Sequence, residues 1–122
     1  MSLTTSNKSV VKATYDFAVS GGAVSDISLD SWVPPGAIIT NIYSREVTSV
    51  TSDGSATVTL SAGSTALTGA TAVASVATGS IALASSATAI VISASSRLKI
   101  TIGTAALTAG KVEYFIEYIH NN

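Results

Sequence analysis

The chain has 122 residues, a length typical of a single domain. Hydrophobic residues make up 47% and charged residues only 11%, which excludes an intrinsically disordered chain, because such chains are poor in apolar residues and rich in charge. The formal net charge of −1 gives no reason to expect nucleic acid or an anionic membrane as a partner, and the lack of cysteine excludes disulfides and thiolate metal sites.

Residues 1–9 are polar and show no periodicity, so we expect a flexible amino-terminal arm that becomes ordered only against a partner. Residues 10–122 then form one domain. Neither a signal-peptide core nor a run of 18 or more apolar residues is present in the sequence, and synthesis in a cytoplasm is the expectation.

Residues 10–19 alternate between apolar and mixed positions, and this pattern predicts a first strand. Gly21 and Gly22 supply a turn, and a shorter strand is predicted over residues 24–29. Residues 32–36 interrupt the strand ladder because neither Pro34 nor Pro35 has a backbone donor. The chain must reverse or cross between sheets there.

Residues 38–47 carry apolar side chains on both faces of a predicted strand. A strict alternation places Ile38 and Ile42 on one face and Ile39, Tyr43 and Val47 on the other. Such a strand is expected to be covered by the opposing sheet on one side and by a neighbouring subunit on the other.

A turn at residues 51–54 joins this strand to the next, and we expect the two to form a hairpin. In the second strand apolar residues alternate with Ser and Thr. The apolar residues are expected to point to one face: Ala56, Val58, Leu60 and Ala62.

No residue between Asp53 and Arg97 is charged. Within this span residues 67–77 are rich in alanine and have a weak helical tendency, residues 81–84 alternate, and residues 87–93 are typical of a buried strand. Residues 97–102 alternate most clearly, and residues 111–119 favour a strand over a helix because of their aromatic and β-branched content.

About eight short strands with Gly, Pro or Ser-rich connections predict an all-β protein, an antiparallel two-sheet β-sandwich. A jelly roll is one way of arranging eight strands in two sheets, and another Greek-key sandwich is equally compatible with the pattern.

Catalytic chemistry finds little support in the sequence. The one histidine, His120, lies two residues from the carboxyl end, where a catalytic base would not be held rigidly. A calcium site built from Asp16, Asp26, Asp30 or Asp53 lacks a known ligand spacing. We therefore expect neither an enzyme nor a bound cofactor or metal.

Trp32 lies beside two prolines in a predicted connection. It is either a cap over one end of the core or an exposed anchor for a partner, since tryptophan dominates binding hot spots. Together with Ile39, Tyr43 and Val47, it makes up the predicted interface.

Five segments resemble small tailed-bacteriophage capsid decoration (cement) proteins. They read YDFAV, GG, VPPGAIITNIY, TSDGSATVTL and LKITIGTAALTAGKVEYFIEYI, and they span residues 15–119. The resemblance implies a sandwich, often like a jelly roll, that forms a homotrimer and ties neighbouring capsomers of the major capsid protein together. Residues 64–96 do not align with the family.

The function that this resemblance implies is that of a virion structural protein on the outer capsid surface. The alternative is a phage tail or fibre component, or a carbohydrate-binding sandwich that uses Trp32 and Tyr43.

Overall fold

The computed structural model describes residues 7–73, 79–84 and 89–120, and this part of the chain forms ten strands and one short helix. The first half contains β1 (Asn7–Asp16), α1 (Phe17–Ser20), β2 (Ser25–Val33), β3 (Ala37–Ser52) and β4 (Thr57–Ala62). The second half contains β5 (Thr65–Ala66), β6 (Thr71–Ala72), β7 (Gly79–Ile81), β8 (Ile90–Val91), β9 (Ser96–Gly103) and β10 (Leu107–His120).

The strands form two antiparallel sheets that pack face to face. Sheet A has the order β1-β10-β3-β7, with β8 also paired to β3. Sheet B has the order β2-β9-β4-β5, with β6 also paired to β4. The predicted all-β sandwich is confirmed.

The pairing is nested, as in one long hairpin that has been rolled up. β1 pairs with β10, β2 with β9, β3 with β7 and β8, and β4 with β5 and β6, and successive pairs alternate between the sheets. With β5 and β6 taken as one interrupted strand, and β7 and β8 as another, this is the eight-strand order of a jelly roll. The structure therefore identifies the jelly roll among the sandwich topologies that are compatible with the sequence.

The core lies between the inner faces of the two sheets, where the period-two patterns place their apolar residues. On β9 the side chains of Leu98, Ile100 and Ile102 are buried. The predicted inner face of the β4 segment is confirmed, since its four apolar residues are all buried: Ala56, Val58, Leu60 and Ala62.

The predicted hairpin around residues 51–54 is wrong. β3 belongs to sheet A and β4 to sheet B, and β4 pairs with β9 rather than with β3. The turn carries the chain from one sheet to the other, as the segment between β2 and β3 also does.

A register shift in sheet A changes the faces of β3. Glu117 pairs with Asn41, but the next residue, Tyr118, pairs with Ile39, so Thr40 is an extra residue on β3. Such a bulge inverts the alternation on one side of it. Ile39 is therefore 4% exposed in the core, and the prediction that it shares a face with Tyr43 and Val47 is wrong.

Three further segments differ from the sequence-based expectation. β1 ends at Asp16, whose side chain accepts a hydrogen bond from the Ala18 amide and begins α1. The alanine-rich segment contains β6 rather than a described helix, and residues 74–77 lie outside the described residues. β8 is shorter than predicted, and residues 87–88 also lie outside the described residues.

One end of the sandwich gathers the beginning of β1, the end of β10 and the beginning of β3. Asn7 pairs with His120, and His120 pairs with Ala37. We call this the Asn7 end. β1 includes residues 7–9 of the predicted arm, and residues 1–6 lie outside the described residues.

Candidate assembly surfaces

The structure separates the four predicted interface residues. Trp32 is 55% exposed on β2 in sheet B, whereas Tyr43 and Val47 are 38% and 46% exposed on β3 in sheet A. Ile39 lies in the core, and its neighbour Ile38 is the exposed residue instead. A carbohydrate platform that combines Trp32 with Tyr43 would need both rings on one face, and the sandwich places them on different sheets.

Exposed apolar side chains are concentrated on the outer face of sheet A. Of the eight large apolar residues that are exposed in the described chain, five lie on this face: Val10, Ile38, Tyr43, Val47 and Val91. Four of these belong to β3 and β8, which are paired so that Ile38 lies opposite Val91. We call these four residues the apolar stripe.

The register extends the apolar stripe onto β10. Phe115 is paired with Tyr43, and Ile119 with Ile38, so their partly buried side chains lie beside the stripe on the same face. Cross-strand neighbours of this kind have Cβ atoms about 5 Å apart. The outer face of sheet A therefore presents apolar side chains on β3, β8 and β10, with exposed Asn41 and Arg45 between those of β3.

Charged groups line the other side of this face, along β1 and β10. Glu113 accepts from Lys12 at 2.7 Å and lies 3.5 Å from Arg45. The hydrogen bond from Lys12 is the main cause that lowers the pKa of the Glu113 carboxyl.

Glu117 has a comparable set of partners. Its carboxylate accepts from Asn41 at 3.2 Å and from Thr40 at 3.0 Å, and Lys8 lies 3.4 Å away. The hydrogen bond from Asn41 is the first cause of its lowered pKa. Lys8, Lys12 and Arg45 are thus each matched by a carboxylate of the same chain.

An apolar centre beside a polar margin is the usual anatomy of a protein–protein interface. The ion pairs on β1 and β10 let the cations approach another protein surface without being left unpaired. Since exposed ion pairs contribute little to folding stability, we assign their main value to charge balance on this face.

On sheet B, Trp32 is the one large apolar side chain that is exposed on a strand among the described residues. Its partner on β9 is Arg97, whose Nε donates to the carbonyl oxygen of Leu29 at 2.6 Å. Sequence patterns identified Trp32 but did not single out Arg97, which is one of several polar positions on the face of an alternating strand that was expected to contact solvent or a partner.

Two of the aspartates considered for calcium, Asp16 and Asp30, line one cleft. Asp26 accepts from Thr101 at 2.7 Å and from Lys99 at 3.2 Å, and Asp16 caps α1. Across residues 7–73, 79–84 and 89–120, no group of three or more His, Asp or Glu residues is arranged to hold a metal ion.

His120 ends β10, and its side chain lies outside the described part of the structure. Among the helices of the described residues, none has the length and hydropathy that a membrane-spanning helix needs.

Comparison with models of protein families found no match. Comparison with curated proteins likewise found no match. Among solved structures, a chain described as part of the "Cyanophage Pam1 capsid asymmetric unit" is similar, with a TM-score of 0.64 and 20% sequence identity. The similarity covers 94% of this chain and 86% of that chain, so the two proteins share a fold over nearly their whole length.

Proposed function

We propose that this protein is a virion structural protein of a tailed bacteriophage, specifically a capsid decoration (cement) protein that binds the outer surface of the head. It is made in the host cytoplasm and is then added to the shell. The apolar stripe on sheet A is the observation that carries the proposal, because a monomer in solution gains nothing from exposing it.

Two further observations support this role. The fold is shared with a chain of a cyanophage capsid asymmetric unit. The sequence segments quoted above also resemble the decoration-protein family, and that family acts through contact area rather than through catalysis.

The working form that we propose is a homotrimer, with the stripe around Tyr43 and Val47 covered by a neighbouring copy. A trimer that contacts several copies of the major capsid protein binds far more tightly than one subunit, because each later contact is intramolecular. It stabilises the head by bridging capsomers.

Head binding and mass test this function together. Purified protein is mixed with heads of the parent phage that were assembled without it, and light scattering measures the mass of the free protein. We expect three times the 12.2 kDa chain mass, and co-sedimentation with the heads. A monodisperse monomer that stays in the supernatant would contradict the proposal.

A substitution separates assembly from folding. Tyr43→Glu places a charge in the apolar stripe, and we expect it to prevent trimer formation while the monomer stays folded. Val24→Glu is the matched control, since Val24 is 57% exposed but precedes β2, away from the stripe. If the two variants form trimers equally well, the stripe is not the contact between copies.

A further inference from the structure

β2 contains a bulge that is held by two hydrogen bonds to other strands. Between the pairs Ser28 with Lys99 and Trp32 with Arg97, β2 has three residues where β9 has one. Arg97 Nε donates to the carbonyl of Leu29, and the hydroxyl of Ser31 donates to the carbonyl of Lys12 on β1. The bulge is therefore held by β9 in its own sheet and by β1 of sheet A.

Bulges of this kind re-aim a side chain, and they are frequent beside functional sites. Here the residue directly after the bulge is Trp32, which is 55% exposed, while the next residue, Val33, is fully buried. The buried Val33 and Leu29 fix the backbone on either side of the indole. Trp32 is thus a large apolar group held in solvent by a rigid support.

Arg97 adds a charge at the same place. Its Nε is occupied by Leu29, but within the described chain its guanidinium forms no ion pair. It lines an open cleft of about 340 Å³ together with Asp30 and Lys111, so a partner can reach it. The other cation on this strand, Lys99, is already paired with Asp26 at 3.2 Å.

We propose that Trp32 and Arg97 form an anchor for a second protein, which supplies an apolar recess for the indole and a carboxylate for the guanidinium. Tryptophan and arginine are the residue types most enriched at binding hot spots, and guanidinium pairs with carboxylate in a bidentate geometry. The inference rests on the proposed function, in which that second protein is the capsid shell.

The sandwich favours the shell over a second copy as the partner. The apolar stripe lies on sheet A and the anchor on sheet B, so one molecule can use both at once.

A glycan is less suited to this site than a protein. Sugar-binding faces stack a ring on aromatic side chains, and none of the other aromatic residues of the described chain lies on sheet B: Tyr15, Phe17, Tyr43, Tyr114, Phe115 and Tyr118 belong to sheet A or α1. A guanidinium without an ion pair, next to a lone indole, fits an acidic protein surface better.

The test measures how tightly the trimer binds heads that were assembled without it. We expect Trp32→Ala and Arg97→Gln each to weaken binding at least tenfold, with the trimer mass and melting temperature retained. Lys99→Gln is the matched control, because it removes the same charge from the same face of β9, and we expect a change of less than twofold.

Three outcomes contradict the proposal in different ways. If wild-type protein binds heads and both variants bind as tightly as Lys99→Gln, the anchor is wrong and the proposed function stands. If wild-type protein does not bind heads, both are wrong. Binding to a glycan array that depends on Trp32, with head binding unchanged, would assign the site to sugars instead. If Arg97→Gln lowers the melting temperature, its weaker binding could come from unfolding. The binding of Trp32→Ala then tests the anchor by itself, because the Trp32 side chain is exposed and contributes little to the core.

Discussion

Gly21 and Gly22 are adjacent in the connection between α1 and β2, yet the space around their Cα atoms differs. Gly21 has a φ of +73° and open space where a Cβ atom would lie. At Gly22 a Cβ atom would lie 2.3 Å from the carbonyl oxygen of Leu107, whose amide donates to Gly22 at 2.7 Å. The backbone of Leu107 cannot move away without losing that bond.

We expect Gly22→Ala to lower the free energy of unfolding by about 3 kcal/mol, as overpacking against a fixed backbone does. Gly21→Ala should cost about 1 to 2 kcal/mol through backbone strain alone, because its φ of +73° and ψ of −171° define a region that is occupied almost only by glycine. Urea denaturation of both variants at one protein concentration measures the difference. Equal losses would show that the contact between Gly22 and Leu107 is not tight.

At the level of single residues, Tyr43 and Val47 were predicted on one outer face together with Ile39, and Ile39 was assigned to that face wrongly. For Trp32 the sequence left a core cap and an exposed anchor open, and the structure shows it exposed. The cause is the extra residue Thr40, which inverts the faces of β3 on one side of it. A bulge depends on the partner strand, so the alternation within one strand carries no sign of it. For the same reason Ile38 was placed on the inner face.

At the level of elements, a threonine side chain replaces a backbone partner where the strand opposite β4 is interrupted. Thr68 is buried, and its Oγ1 accepts from the amide of Leu60 at 3.0 Å. Thr68 also forms a bridge with Leu83, and Ala84 donates to Leu67 at 2.8 Å, so this segment joins the edge of sheet B to that of sheet A.

Thr68→Val keeps the shape of the side chain but leaves the Leu60 amide without an acceptor. We expect a loss of about 1 to 3 kcal/mol in the free energy of unfolding, the usual cost of a buried unsatisfied donor. Thr68→Ser retains the hydroxyl and loses one methyl, so its cost should be about 1 kcal/mol or less. If serine destabilises the protein as much as valine does, the hydrogen bond has no role.

The ion pairs of β10 predict a dependence of stability on pH. Hydrogen bonds from Lys12 to Glu113 and from Asn41 to Glu117 lower the pKa of both carboxyls in the folded state. A group whose pKa is lower in the folded state stabilises the fold above its unfolded-state pKa, which is about 4.3 for Glu. That contribution is lost as the pH falls through the folded-state value.

The double variant Glu113→Gln, Glu117→Gln isolates this contribution. We expect wild-type protein to be more stable than the variant at pH 7, and we expect the difference to shrink as the pH is lowered below about 4. Chemical denaturation across this pH range measures it. A difference that stays constant down to pH 3 would show that these two carboxylates do not link folding to protonation.

Strand patterns were predicted well where one face is buried and the register is regular. β9 is the clearest case, because Leu98, Ile100 and Ile102 alternate with polar residues. The hairpin predicted at residues 51–54 was wrong because the same turn residues suit both a hairpin and a crossing between sheets. Only the distant partner, β9 for β4, distinguishes the two.

At the scale of the whole molecule, the two sheets divide the surface into regions of different chemistry. Sheet A carries the apolar stripe with its ion-paired margin, and sheet B carries Trp32 and Arg97. The sequence predicted the sandwich, but its nested pairing rests on contacts between the two halves of the chain, such as β1 with β10. Local patterns do not encode such contacts, and the division of surfaces follows from them.

Electron cryomicroscopy can compare heads incubated with this protein and heads that lack it. We expect added density on the outer surface in groups of three jelly rolls, with the sheet A stripe buried between neighbouring copies and Trp32 directed at the shell. Heads without added density, or single copies whose sheet A face remains open to solvent, would contradict this expectation.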